Sequence, residues 1–178
     1  MRREWERDFV EYVGARALAL RRTAYLLSGD WHTAEDLTQA TLTKLYLAWR
    51  KIDRSGSVDA YARRTLVRTF LDSRRRLWNR ERPHADVPER SAPTDHAEDR
   101  IVLWKALDRL PASQRAVIVL RYWEDLSVAE TAAALNLSDG TVKSYASRGL
   151  AALREGLQGS RDAEPMGNES YAHSGSER

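Results

Sequence analysis

Thr141, Lys143, Ser144, Tyr145, Ser147 and Arg148 are mostly short polar or basic residues that fall on one face of a helical repeat. A helix with such a face can enter a major groove N-terminus first and contact phosphates and base edges. Upstream, Arg63, Arg64, Arg68, Arg74 and Arg75 share one side of a second helical wheel, opposite Ala62, Leu66, Phe70, Ser73 and Leu77. Like charges this close destabilise a helix unless neutralised, and a phosphate backbone neutralises them while releasing counterions. Both groups point to recognition of nucleic acid. Two plainer readings stand beside this one: a helical hairpin with a solvated polar face, and a basic face paired with Asp59, Asp72 and Glu81.

Bond-making chemistry finds no comparable foothold. The chain has no phosphate-cradling glycine loop, HExxH helix or GxSxG elbow, and its carboxylates are scattered among basic residues. It has no cysteine, which excludes disulfides, thiolate metal sites and cysteine nucleophiles. His32, His84, His96 and His173 show no ligand spacing and read as surface residues. The expectation is a protein that is not an enzyme and takes no cofactor or metal. No apolar run approaches the roughly 20 residues of a membrane span, and MRREWERDF lacks a signal-peptide core, so a cytoplasmic protein without membrane insertion is expected. Net charge is only +3, with a pI near 9.3, so the placement of cations says more than their sum.

The elements that must position these side chains are legible in the spacing. Ser127 and Glu130 form a capping box that starts a short helix, with Val128, Ala132 and Leu135 on its inner side. Asn136 tolerates the left-handed conformation that ends it, and Leu137 points inward. Ser138 caps the next helix, Asp139 suits its positive end, and Val142, Ala146, Leu150 and Leu153 are its buried stripe. Helix, turn and helix follow in order.

Three long helices are predicted upstream. Trp5 to Leu27 is amphipathic and broken by Ser28, Gly29 and Asp30; Thr33 with Asp36 resembles an acidic capping box for a second helix running to about Ile52. Asp36, Gln39, Thr43 and Lys44 lie off its apolar stripe, a polar strip suited to solvent or to a docking partner. The arginine helix spans roughly residues 60–80. Residues 83–97 hold three prolines and no apolar periodicity, and read as a flexible linker. Extended, such a linker reaches about 50 Å, more than the roughly 34 Å of one duplex turn. Beyond it, Ile101, Trp104, Leu107 and Leu110 mark a short helix, Pro111 fits the first turn of the next, and residues 159–178 are a polar tail expected to be disordered. The fold class is all-α: a helical domain at 1–82, and a second at 98–158 that carries the helix-turn-helix.

Taken in order, these segments resemble the extracytoplasmic-function (ECF) group of bacterial RNA polymerase sigma factors. AEDLTQATLTKLYLAW, from Ala34, is similar to region 2.1–2.2. DAYARRTLVRTFLDSRRR, from Asp59, is similar to regions 2.3–2.4, and LDRLPASQRAVIVLRYWEDLSVAETAAALNLSDGTVKS, from Leu107, to region 4. The resemblance implies a promoter-specificity subunit whose partners are promoter DNA and the clamp helices and flap of core polymerase. It also admits an anti-sigma factor. Asp36, Gln39 and Thr43 would meet the core enzyme. Arg54 and Ser55 in the connector, with Tyr61, Arg64, Arg68 and Arg75, would engage the melted −10 element. Ser138, Thr141, Lys143, Ser144, Tyr145, Ser147 and Arg148 would read the −35 duplex, with Arg115 and Arg121 adding backbone contacts. Trp49 and Tyr61 are offered as stacking partners for an unpaired base, against the alternative that they are buried.

The chain departs from the family pattern at named positions. Arg68 stands where Asn is common, and Ala40 where an acidic residue is usual. Tyr145 and Ser147 replace Arg and His. No counterpart of region 1.1 or region 3 is seen. The main alternative is a helix-turn-helix regulator that binds duplex half-sites as a dimer without polymerase; a structural or RNA-binding helical module is the third.

Overall fold

A computed structural model describes residues 2–52, 57–78 and 97–162. These residues are helical throughout apart from short turns: α1 (Arg2–Ser28), α2 (Trp31–Ala48), α3 (Val58–Trp78), α4 (Ala97–Asp108), α5 (Ala112–Ile118), a π-helical turn (Val119–Trp123), α6 (Val128–Leu135) and α7 (Asp139–Asp162). The predicted linker, apart from Ala97, and most of the predicted tail lie outside the described residues. Helix α7 continues through residues 159–162, where the sequence pattern had suggested the tail begins.

Helices α1 to α3 pack around Leu20, Ala24, Leu27, Leu37, Leu45, Leu66, Val67 and Phe70, all buried. The apolar stripes predicted for α1 and α3 supply most of them. Two boundaries differ from expectation. The cap of α2 is Asp30, which accepts from the Thr33 backbone N–H at 2.8 Å and the Thr33 hydroxyl at 2.9 Å, so the helix opens one turn before the predicted Thr33 cap. Gly29, at φ +75°, makes the reversal that the preceding helix end demands. Asp36 is then an exposed mid-helix residue near His32, 3.5 Å away. At its other end α2 closes at Ala48, and Trp49 to Lys51 continue as a turn.

Asp59, which the plainer reading of the basic face pairs with the arginines of its own helix, binds α1. It accepts from Tyr12 at 3.0 Å and pairs with Arg16 at 2.7 Å, anchoring the start of α3. Burial and then the neighbouring Asp59 raise the Tyr12 hydroxyl above its ordinary pKa.

The second group, α4 to α7, has two buried clusters of its own: Ala106, Leu107, Leu110, Ile118 and Leu153, and Val117, Ala132, Val142 and Ala146. Pro111 sits at the N-cap of α5, one position earlier than predicted. The capping box at Ser127 and Glu130 is present in both directions, at 3.1 Å and 2.8 Å. Hydrogen bonds from the Ser127 hydroxyl and backbone N–H hold the Glu130 carboxyl below its usual range. Asn136 is left-handed, with φ 55° and ψ 49°.

The two groups share a seam. Ala116, Val119, Leu120, Leu126 and Ala134 belong to the same buried cluster as the α1–α3 core. At its rim, the Trp104 indole lies on Gly29, where an added Cβ would fall within 1.5 Å of the ring.

Candidate nucleic-acid and partner interfaces

The outward face of α7 is set by its start. Ser138 accepts from the Thr141 backbone N–H at 3.1 Å, and the two hydroxyls lie 2.8 Å apart. The inner stripe, Val142, Ala146 and Leu153, is buried. Ser138, Lys143, Ser147 and Arg148 are therefore exposed, with Thr141, Ser144 and Tyr145 half-buried beside them. Arg148 donates to Ser144 at 2.6 Å and its guanidinium sits 5.7 Å from the centre of the Tyr145 ring. These contacts hold the Arg148 side chain against its own helix, which lowers the entropy that it would lose on binding.

Arg115 requires a correction. Read as a backbone contact, it is instead a core residue only 1% exposed. Its guanidinium donates to the carbonyls of Leu27 at 2.8 Å and Asp108 at 2.9 Å, and to the Asp108 carboxylate at 3.0 Å. Burial lowers its pKa despite the Asp108 charge. In this conformation no duplex can reach it. Arg121 is half-buried and donates to the Leu126 carbonyl, so part of its donor set is also spent on the fold.

On α3, Arg68 and Arg75 are exposed, while Tyr61 and Arg64 are half-buried with the guanidinium 5.4 Å from the ring centre. Tyr61 and Arg64, with Arg63, line a cleft of about 480 Å³ whose other wall comes from α6 through Glu130, Ala133 and Ala134; Arg68 and Arg75 lie outside it. Arg54 and Ser55 lie outside the described residues. Trp49 is not available to stack on a base: it is 5% exposed and packs edge-on against Phe9 at 5.1 Å. On α2, Asp36, Gln39 and Thr43 form one exposed polar strip; the Thr43 hydroxyl donates to the Gln39 carbonyl at 2.9 Å.

The structure adds residues that the sequence did not single out. Glu124 accepts from the Thr23 hydroxyl on α1 and pairs with Arg63 on α3 at 3.4 Å. Its position depends on the π turn, in which the Glu124 N–H reaches the Val119 carbonyl at 3.1 Å, followed by Asp125 at φ 52°. Helical periodicity gives no sign of such a widened turn. Arg63, grouped with the DNA-facing arginines, thus has a carboxylate at hand within the chain.

Among the described residues no group of three or more histidines or carboxylates could hold a metal ion. Within the same residues no helix is long and apolar enough to cross a membrane.

Comparison with known proteins agrees with this arrangement. The family model for Sigma-70 region 2 matches residues 13–80, and that for Sigma-70, region 4 matches residues 100–153. The chain is 42% identical over 157 residues to the RNA polymerase sigma-E factor of Streptomyces coelicolor, covering 84% of this chain and 86% of that one. It is 36% identical over 152 residues to the ECF RNA polymerase sigma factor SigL of Mycobacterium tuberculosis, covering 80% and 84%. Among solved structures, the sigma factor RpoE of Bartonella quintana, crystallised with the anti-sigma factor NepR, matches with a TM-score of 0.67 and 30% identity over 85% of this chain and 97% of that one. With both regions matched in order and these relatives aligned over most of their length, the chain belongs to the ECF group of the sigma-70 family.

Proposed function

We propose that this chain directs core RNA polymerase to promoters through three separate surfaces. The polar strip Asp36, Gln39 and Thr43 on α2 docks on the polymerase clamp helices. The Tyr61, Arg64, Arg68 and Arg75 side of α3, with the connector carrying Arg54 and Ser55, holds the melted −10 strand. The outward face of α7 reads the −35 duplex. The observation that carries the reading is α7 itself: a capped N-terminus with Lys143, Ser147 and Arg148 exposed opposite a buried apolar stripe. Hydroxyls and cations in that position suit phosphates and base edges together. Once the two groups part, a linker of the length predicted at 83–97 would let them engage separate sites on one duplex, and an anti-sigma factor, as in the RpoE complex, is a natural antagonist.

The test separates the surfaces. Lys143→Ala is expected to weaken −35 duplex binding, whereas Arg64→Ala weakens promoter opening and leaves duplex binding nearly intact. Wild-type chain is expected to co-elute with core polymerase and to start transcription at defined sites. Failure to co-elute, with tight dimeric binding to duplex, would mean a stand-alone regulator.

A further inference from the structure

The seam between the two helical groups hides selected cations and leaves others bare. Arg63 is 25% exposed and its partner Glu124 16%, while Lys143, Ser147, Arg148, Asp36, Gln39 and Thr43 all remain open to solvent. The Nε of Arg63 is buried without a hydrogen-bond partner, and its contact to Glu124 is a long 3.4 Å. A guanidinium fork matches two phosphate or carboxylate oxygens, so this one is only partly satisfied where it lies. Glu124 is better held: Thr23, itself 1% exposed, donates to one oxygen while Arg63 takes the other. Beside this contact, half-buried Tyr61 and Arg64 line the cleft opposite α6, with Lys51 exposed at its edge.

We propose that Glu124 is an intramolecular latch. Its carboxylate occupies the place of a nucleic-acid phosphate on Arg63 and adds to the apolar seam in keeping α4–α7 closed over the N-terminal half of α3. The inference rests on the reading of α3 as a single-strand surface. The latch leaves the α2 strip and the α7 face exposed, so polymerase docking and duplex contact precede opening, and single-strand capture follows it. A phosphate backbone then replaces Glu124 on a guanidinium that the closed form satisfies incompletely.

The experiment uses the full chain without polymerase, a single-stranded DNA oligonucleotide as probe, and small-angle scattering for its dimensions. Glu124→Gln keeps the shape and removes the charge; it is expected to enlarge the radius of gyration and to tighten single-strand binding about five-fold, the upper end for a partly exposed ion pair. Arg63→Gln breaks the same pair from the other side and is expected to enlarge the chain without tightening binding. Unchanged dimensions in both folded variants overturn the latch, whatever the binding does. Expansion without tighter binding in Glu124→Gln leaves the closure in place but overturns the withholding of Arg63, and with it the single-strand role of α3.

Discussion

Arg115→Ala is expected to unfold the chain more readily, not to release DNA. The guanidinium is 1% exposed and makes charge-assisted bonds to Leu27, to the Asp108 carbonyl and to the Asp108 carboxylate, at 2.8, 2.9 and 3.0 Å. Each such bond contributes about 1.5–3 kcal/mol net, from which the cost of burying the charge must be subtracted. Desolvation offsets several kcal/mol, so the pieces do not add. Removing one member of a buried pair costs about 3–5 kcal/mol, and Arg115→Ala belongs there because it also strands the Leu27 carbonyl and leaves a cavity. Arg115→Met fills much of the volume and removes the charge that had to be desolvated, so it should cost about half as much. Asp108, with its side chain 33% exposed, can turn to water in either variant. Urea titration followed by circular dichroism measures the difference as a shift in midpoint at constant slope. A midpoint within about 0.5 kcal/mol of wild type, with −35 binding lost, would refute the burial argument and return Arg115 to the DNA surface.

Other substitutions test local packing. Gly14 lies exposed in mid-α1 with nothing within 4 Å of an added Cβ, so Gly14→Ala should raise stability by about 0.5–1 kcal/mol in the same titration. At Gly149 the added carbon would meet Ile118 Cγ1 at 2.8 Å, in the core; overpacking of about 1–3 kcal/mol outweighs the helix-propensity gain, so Gly149→Ala should lower the thermal midpoint. The capping box predicts an acid dependence. Because the folded Glu130 carboxyl titrates below its unfolded value, its contribution is present above the ordinary carboxylate pKa and is lost as pH falls through the depressed one. Glu130→Gln should flatten the acid limb of a stability-against-pH curve, and an unchanged limb would show that the carboxylate is not engaged.

The parts legible in the sequence were those fixed by near neighbours. Ser127, Glu130, Asn136 and Ser138 act within a few residues of themselves, and each occupies the predicted role in the described structure. The all-α class and the apolar stripes followed from helical periodicity for the same reason. What escaped was set by distant partners. Arg115 has the composition of a surface residue, and its burial depends on the Leu27 carbonyl at the end of α1. The run from Ala116 to Leu120 is buried at every position, wider than one α-helical stripe, and its apolar residues do not by themselves mark the π turn at Val119–Trp123. Asp30 won the α2 cap over Thr33 because the reversal at Gly29 presents its carboxylate to the free N–H groups. The roles given to the α2, α3 and α7 surfaces rest on geometry and kinship, and the variants above are their trial.

The indole of Trp104 on Gly29 turns a single backbone position into a gauge of how far apart the lobes stand. Any residue larger than glycine there must evict the ring, and its positive φ disfavours such a residue in any case. A bulkier side chain at that hinge point would therefore wedge the molecule ajar without touching one cation or one helix face. Drift at this position among related chains would tune how readily each one springs open.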